Sequence, residues 1–150
     1  VRLPAAEQLA GLKQHPTHLY YFATGHIFRR PAASFSSEYF DEYARFYVTG
    51  FSALLDALRD RGVTNLTVFY PSTTALDDPV KELAEYAAAK AAGEQLCRQI
   101  NAFSCDVYIE IRRLPRLLTD QTATSSVVAF GDGVGLLASA IQAMHARGWK

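Results

Sequence analysis

Two rhythms of apolar residues alternate along the chain. Nearly unbroken apolar runs occupy residues 18–23 (HLYYFA), 66–70 (LTVFY) and 105–111 (CDVYIEI). Such runs fit strands buried on both faces, as in a parallel sheet. Between the first two, Tyr39, Tyr43, Phe46, Tyr47, Phe51, Leu54, Leu55 and Leu58 recur every three or four positions, and five of these eight are aromatic. That spacing predicts a helix with one buried face. Ser36 and Ser37 offer N-caps, Glu38, Asp41 and Glu42 suit the positive end of the helix, and Gly62 supplies its stop. Residues 5–14 read as the end of an amphipathic helix, with Leu9 and Leu12 on one face, broken before Pro16. Asp78-Pro79 predicts, by cap and N1 proline, a helix running to about Ile100, alanine-rich over 84–92. Residues 127–130 could form a further short strand, and Asp132 is expected to cap a last helix ending near Gly148.

Strands alternating with helices predict an α/β fold built from βαβ units, with a parallel sheet and right-handed crossovers. The 150 residues fit a single domain, with no linker, repeat or low-complexity segment. Apolar content of 49% and charged content of 20% place the chain among globular proteins. A formal net charge of +0 gives no long-range field for phosphate backbones or anionic lipid. Nucleic acid and membrane partners are therefore not expected, and no apolar run approaches a membrane span. Cys97 and Cys105 lack metal-ligand spacing and are expected as reduced, buried thiols of a cytoplasmic protein. His15, His18, His26 and His145 share no ligand spacing either, so no metal is expected. Arg112-Arg113 is expected at a solvated strand end.

Candidate chemistry sits on the helix after the second strand. In Tyr86-Ala87-Ala88-Ala89-Lys90 the i, i+4 spacing places a phenol and an ammonium on one helix face. A cation beside a phenol favours phenolate and lowers the tyrosine pKa from about 10. A phenol so tuned can exchange a proton with a carbonyl or alcohol oxygen. Upstream, Ser72-Thr73-Thr74 closes a strand, and ligands of parallel α/β sheets bind at the carboxyl ends of strands.

At these residues the sequence resembles the short-chain dehydrogenase/reductase family. The resemblance rests on strand-end hydroxyls followed by Y-A-A-A-K-A-A-G-E at the family's serine-to-tyrosine separation. It extends to Ala23-Thr24-Gly25, standing where the family has an Asn-Ala-Gly turn, and to residues 115–119 (PRLLT), similar to the loop after its sixth strand. The resemblance implies a Rossmann-like parallel sheet with flanking helices, truncated to the carboxyl-terminal half: nothing matches the first three strands or the Gly-rich turn. Gly131, Gly133 and Gly135 do not supply that turn, because Leu136 stands where a third glycine or alanine is required.

The resemblance implies carbonyl/alcohol interconversion on a small molecule by hydride transfer, with Tyr86 as acid/base and Lys90 as its tuning cation. Ser72 is expected to orient the substrate oxygen; a shift of one residue would select Thr73 instead. Ala23, Thr24, Gly25, Tyr86, Lys90, Pro115 and Thr119 are the implied cofactor contacts. The cofactor would be NAD or NADP, bound by the complete domain and not tightly by this half alone. The missing amino-terminal half would come in cis or in trans, and a homodimer is implied. Two positions depart from the family pattern. Tyr47 stands at its helix asparagine, and Arg116 follows Pro115 in place of glycine. The alternative is a non-catalytic structural module that keeps the fold without the cofactor.

Overall fold

The computed structural model describes residues 4–27, 34–115, 133–147 and 149. Among them, β1 (His18–Tyr20), β2 (Leu66–Thr73) and β3 (Val107–Leu114) form one sheet in the order β1-β2-β3, with both pairings parallel. All three strands therefore end on the same edge of the molecule. The helices are α1 (Ala5–Gln8), α2 (Ser37–Ala44), α3 (Phe51–Asp60), α4 (Ala84–Phe103) and α5 (Gly133–Ala146). The expected order of strands and helices holds over the described residues. The possible strand at 127–130 and the cap at Asp132 lie outside them.

Residues 66–70 are all buried, as a run without polar alternation requires in a sheet covered on both faces. Leu66, Val68 and Tyr70 join the larger core under α2, α3 and α4. Phe69 faces the other way, onto Ala140 and Met144 of α5. On that side the His145 ring stacks on His18 with centroids 4.0 Å apart, and its Nε2 lies 2.8 Å from the Tyr20 hydroxyl.

Peptide groups along β2 also alternate. Leu66 N–H donates to Asp106 on the β3 side, whereas Thr67 N–H donates to Thr17 and Phe69 C=O accepts from Tyr21 on the β1 side. Pro71 follows this odd-numbered series, and β1 pairing has already stopped at Phe69. Its missing N–H thus costs no ladder bond, so β2 runs past the proline to Thr73, three residues beyond the expected end. Its carbonyl is left free for another donor.

The aromatic helix is one continuous element with a fault in it. Between α2 and α3 the backbone makes a π-helical turn over Arg45–Gly50. A Cβ on Gly50 would lie 2.4 Å from the Arg45 carbonyl oxygen, so this turn depends on glycine. Tyr47 and Phe51, both 0% exposed, point from this region into the core.

α4 begins at Ala84, not at Asp78-Pro79. The Thr73 side chain accepts a hydrogen bond from Ala75 N–H, and residues 74–76 and 81–83 form short 3₁₀ turns that use up the intervening chain. The buried stripe of α4 is Ala89, Lys90, Gly93, Glu94 and Cys97. Cys97 is a buried thiol as expected, but Cys105 is exposed at the turn before β3. Two charges in that stripe are unusual and define the site.

Candidate active site

The carboxyl edge of the sheet gathers the strand-end residues Thr73 and Pro115 with the turn that follows β1. Thr73 pairs with Leu114 in register, and Pro115 follows directly. Within the turn after β1, Ala23 is exposed, Thr24 is half-buried and Gly25 is buried against the Phe46 ring. Thr119 lies outside the described residues.

The first turn of α4 brings Tyr86 to this edge. Its ring meets Tyr43 and Tyr47 edge-on, with centroids 5.7 Å away in each case. Burial pushes the phenol pKa up; the Thr73 side chain, interacting with the phenol, pulls the other way, and Tyr43 adds to the rise. Tyr86 is therefore a protonated phenol, the form that donates to an oxygen.

The two strand-end hydroxyls part company here. Ser72 is the expected partner of Tyr86, but the side chain that acts on the phenol pKa is that of Thr73. Ser72 is 4% exposed and lies near the Glu94 carboxylate, helping to hold that acid ionised without completing a hydrogen bond of ordinary geometry. The alternation of β2 puts Ser72 on the face of Tyr70, under α4, and Thr73 at the last strand position, where the chain turns away. Of the two hydroxyls, the one that acts on the Tyr86 phenol is therefore that of Thr73.

Lys90 lies one turn below Tyr86, yet its ammonium is not aimed at the phenol. Its Nζ donates to the free Pro71 carbonyl at 2.6 Å and sits 3.9 Å from the centroid of the Tyr47 ring. The residue is 6% exposed. Burial lowers the lysine pKa to about 7, against the opposing pull of Cys97 and Glu94. As placed, the amine spends one of its three N–H donors on Pro71 and lies over the Tyr47 ring.

Tyr47, at the family's asparagine position, connects these groups. Its hydroxyl lies 2.5 Å from Thr24 Oγ1, and its carbonyl accepts from the Tyr70 hydroxyl at 2.9 Å. Burial drives the phenol pKa of both tyrosines far up. The sequence singled out Tyr47 only as a departure; its period in the aromatic stripe marked it as core, and nothing local marked the lysine above it.

Further along α4, Glu94 is 1% exposed and is held by a bidentate Arg113 at 2.8 Å to each oxygen. Arg98 adds a contact at 2.5 Å, and Arg113 also reaches Asp77. Arg113, exposed at the strand end as expected, also ties β3, α4 and the segment after β2 together. Arg113 chiefly, then Ser72 and Arg98, lower the Glu94 pKa to about 2 against burial. A depressed carboxylate contributes stability above its unfolded value of 4.5 and loses it as pH falls towards about 2. Glu94→Gln should therefore cost ~1–2 kcal/mol at pH 7, a figure discounted because both arginines are partly in solvent. It should also flatten the decline in stability between pH 4.5 and 2. Urea titrations across that range check this, and an unchanged acid limb would contradict it.

Together, a parallel sheet covered by helices on both faces and a hydroxyl-bearing strand end facing a tyrosine helix define a Rossmann-like α/β fold. Among solved structures the chain is similar to a gluconate 5-dehydrogenase from Burkholderia cenocepacia, determined in complex with NADP and tartrate. The match has a TM-score of 0.64 and 15% identity, and covers 78% of this chain and 47% of that one. The chain thus spans about half the length of that enzyme. At this identity the likeness shows a fold of the short-chain dehydrogenase/reductase type. No protein-family model and no curated protein matches the chain. Among the described residues, no helix is long and apolar enough to cross a membrane, and no cluster of three His, Cys, Asp or Glu could hold a metal ion.

Proposed function

We propose that this chain supplies the proton donor and the orienting hydroxyl of an NAD(P)-dependent carbonyl/alcohol oxidoreductase acting on a small molecule. The supporting observation is that Thr73 ends β2 at the carboxyl edge of the sheet and that its side chain acts on the buried Tyr86 phenol. In this reading the Thr73 hydroxyl donates to the substrate carbonyl oxygen and fixes its position. Tyr86, kept protonated by burial, transfers its proton to that oxygen as negative charge develops there. The nicotinamide would supply the hydride and be held chiefly by an amino-terminal half, provided in cis or in trans. No ribose contact is assigned to Lys90. Assembly as a homodimer in the cytoplasm belongs to the same proposal.

A second reading is favoured by one observation: Lys90 is sealed between Pro71 and Tyr47. A fold kept as a non-catalytic module would hold its lysine in this way. Tyr86→Phe in the longer protein, or in this chain joined to its complement, separates the two. The oxidoreductase reading expects carbonyl reduction to fall at least a hundredfold, the lower end of general-acid contributions, with an unchanged far-ultraviolet circular dichroism spectrum. Full activity in this variant would remove the assignment of Tyr86.

A further inference from the structure

Tyr47 and Lys90 come from different elements and meet face to face in the core. The ammonium lies over the Tyr47 ring at 3.9 Å and at 5.3 Å from the centre of the Tyr70 ring, with one proton on Pro71. The rest of Tyr47 is tied down at three points. Its hydroxyl meets Thr24 in the turn after β1, its carbonyl takes the Tyr70 hydroxyl, and its ring stands at 80° to that of Tyr86. The titratable groups around Lys90 are Glu94 and Cys97 on α4, Tyr70 on β2, Tyr47 on the π-helical turn, and Tyr86 one turn above. With Cys97 a thiol, its pKa raised to about 12 mainly by burial, Glu94 is the anion of this set. It is already engaged by two arginines. The ring faces and the single carbonyl therefore stand beside Glu94 as local support for the ammonium, and a desolvated cation gains most from such a face.

We propose that Tyr47 is a positioning residue of this site: its ring seats the Lys90 ammonium against the Pro71 carbonyl, and its hydroxyl fastens the Thr24–Gly25 turn to that seat. The inference rests on reading Tyr86 and the groups around it as a reactive site. It adds that the lysine serves as an internal cation holding the tyrosine helix to β2 and to the turn after β1. The two halves of Tyr47 do separable work. The ring governs the lysine, and the hydroxyl governs the turn.

The test is the titration of the Lys90 amine, followed by NMR on lysine labelled with ¹³C at Cε, in the parent chain, Tyr47→Phe and Tyr47→Leu. Phe keeps the ring and loses the hydroxyl, so the Lys90 midpoint should stay within about 0.3 pH unit of the parent. Leu loses both, and the midpoint should fall by about one unit as the charged form loses its aromatic face. In both variants the Thr24 and Gly25 amides should exchange faster. A midpoint unmoved by Leu, or moved equally by Phe and Leu, would overturn the proposal. Should the Leu variant fail to fold, the parent chain decides: the Tyr47 ring carbons must titrate with the Lys90 midpoint, and a flat ring signal overturns it. Because no turnover is required, this outcome is independent of the Tyr86→Phe result.

Discussion

Gly93→Ala should destabilise the chain by ~3 kcal/mol, although alanine is the better helix former by up to ~1 kcal/mol. The cause is the closeness with which α4 crosses the sheet and the π-helical turn. A Cβ at position 93 would stand 1.9 Å from the Tyr70 hydroxyl oxygen and 2.8 Å from the Tyr47 carbonyl. Tyr70 is 0% exposed and has no room to swing away. Displacing it breaks its bond to Tyr47 and leaves a buried hydroxyl and a buried carbonyl unpaired, a loss of ~1–3 kcal/mol. Overpacking adds ~1–3 kcal/mol. Urea unfolding of the variant measures the sum; a loss below 1 kcal/mol would contradict the packing described. Tyr70→Phe supplies the control. It removes the clashing oxygen, so the double variant should be less destabilised than the two single effects added together.

Lys90→Met should stabilise the chain at pH 6 by ~2 kcal/mol, and the advantage should vanish as pH approaches 10. The sign follows from proton counting. The folded-state pKa of about 7 lies below the ordinary 10.5, so between these values the unfolded chain binds a proton that the folded chain does not. Stability therefore rises with pH across that window. Below about pH 7 both states are protonated, and the whole cost of burying the ammonium is borne, ~5 kcal/mol at most from the size of the shift. Methionine removes that cost but leaves the Pro71 carbonyl without its donor, which returns ~1–2 kcal/mol. Stability curves of parent and variant from pH 6 to 10 are the measurement. Parallel curves would show that the amine is not buried as a cation-bearing group.

These two expectations fall on neighbouring residues of one helix stripe, and they explain why that stripe carries so little ordinary apolar surface. Gly93 is there because a tyrosine hydroxyl lies against it, and Lys90 meets the Pro71 carbonyl that β2 is left with once β1 has ended. Each is a local oddity on α4 that answers an oddity on β2.

The order of strands and helices, the parallel sheet and the aromatic face of α2 and α3 were all legible along the chain. These properties follow from short-range repetition: period two or unbroken burial for strands, period three to four for helices. Tyr86 and Lys90 on one helix face were legible for the same reason, since i and i+4 are neighbours on any helix. The cap-and-proline signal at Asp78-Pro79 does not start α4, because the short turns following β2 take up the chain as far as Leu83. The reach of β2 beyond Pro71 was hidden because a proline ends a strand only where its missing N–H is needed. That depends on where β1 stops, about fifty residues earlier in the chain.

What the chain determined by itself, then, is which residues share a face; which atoms meet was left to tertiary structure. Four torsions carry the Lys90 amine to whatever acceptor the other elements present, and they present Pro71 and Tyr47 instead of the Tyr86 phenol. In the same way, Ser72 and Thr73 are equivalent as neighbouring hydroxyls in sequence. The pleat of β2 and the turn that follows it send one to Glu94 and the other to Tyr86. Side-chain periodicity is a local property of the backbone, whereas the partners that complete a buried charge or hydroxyl come from segments that only folding brings together.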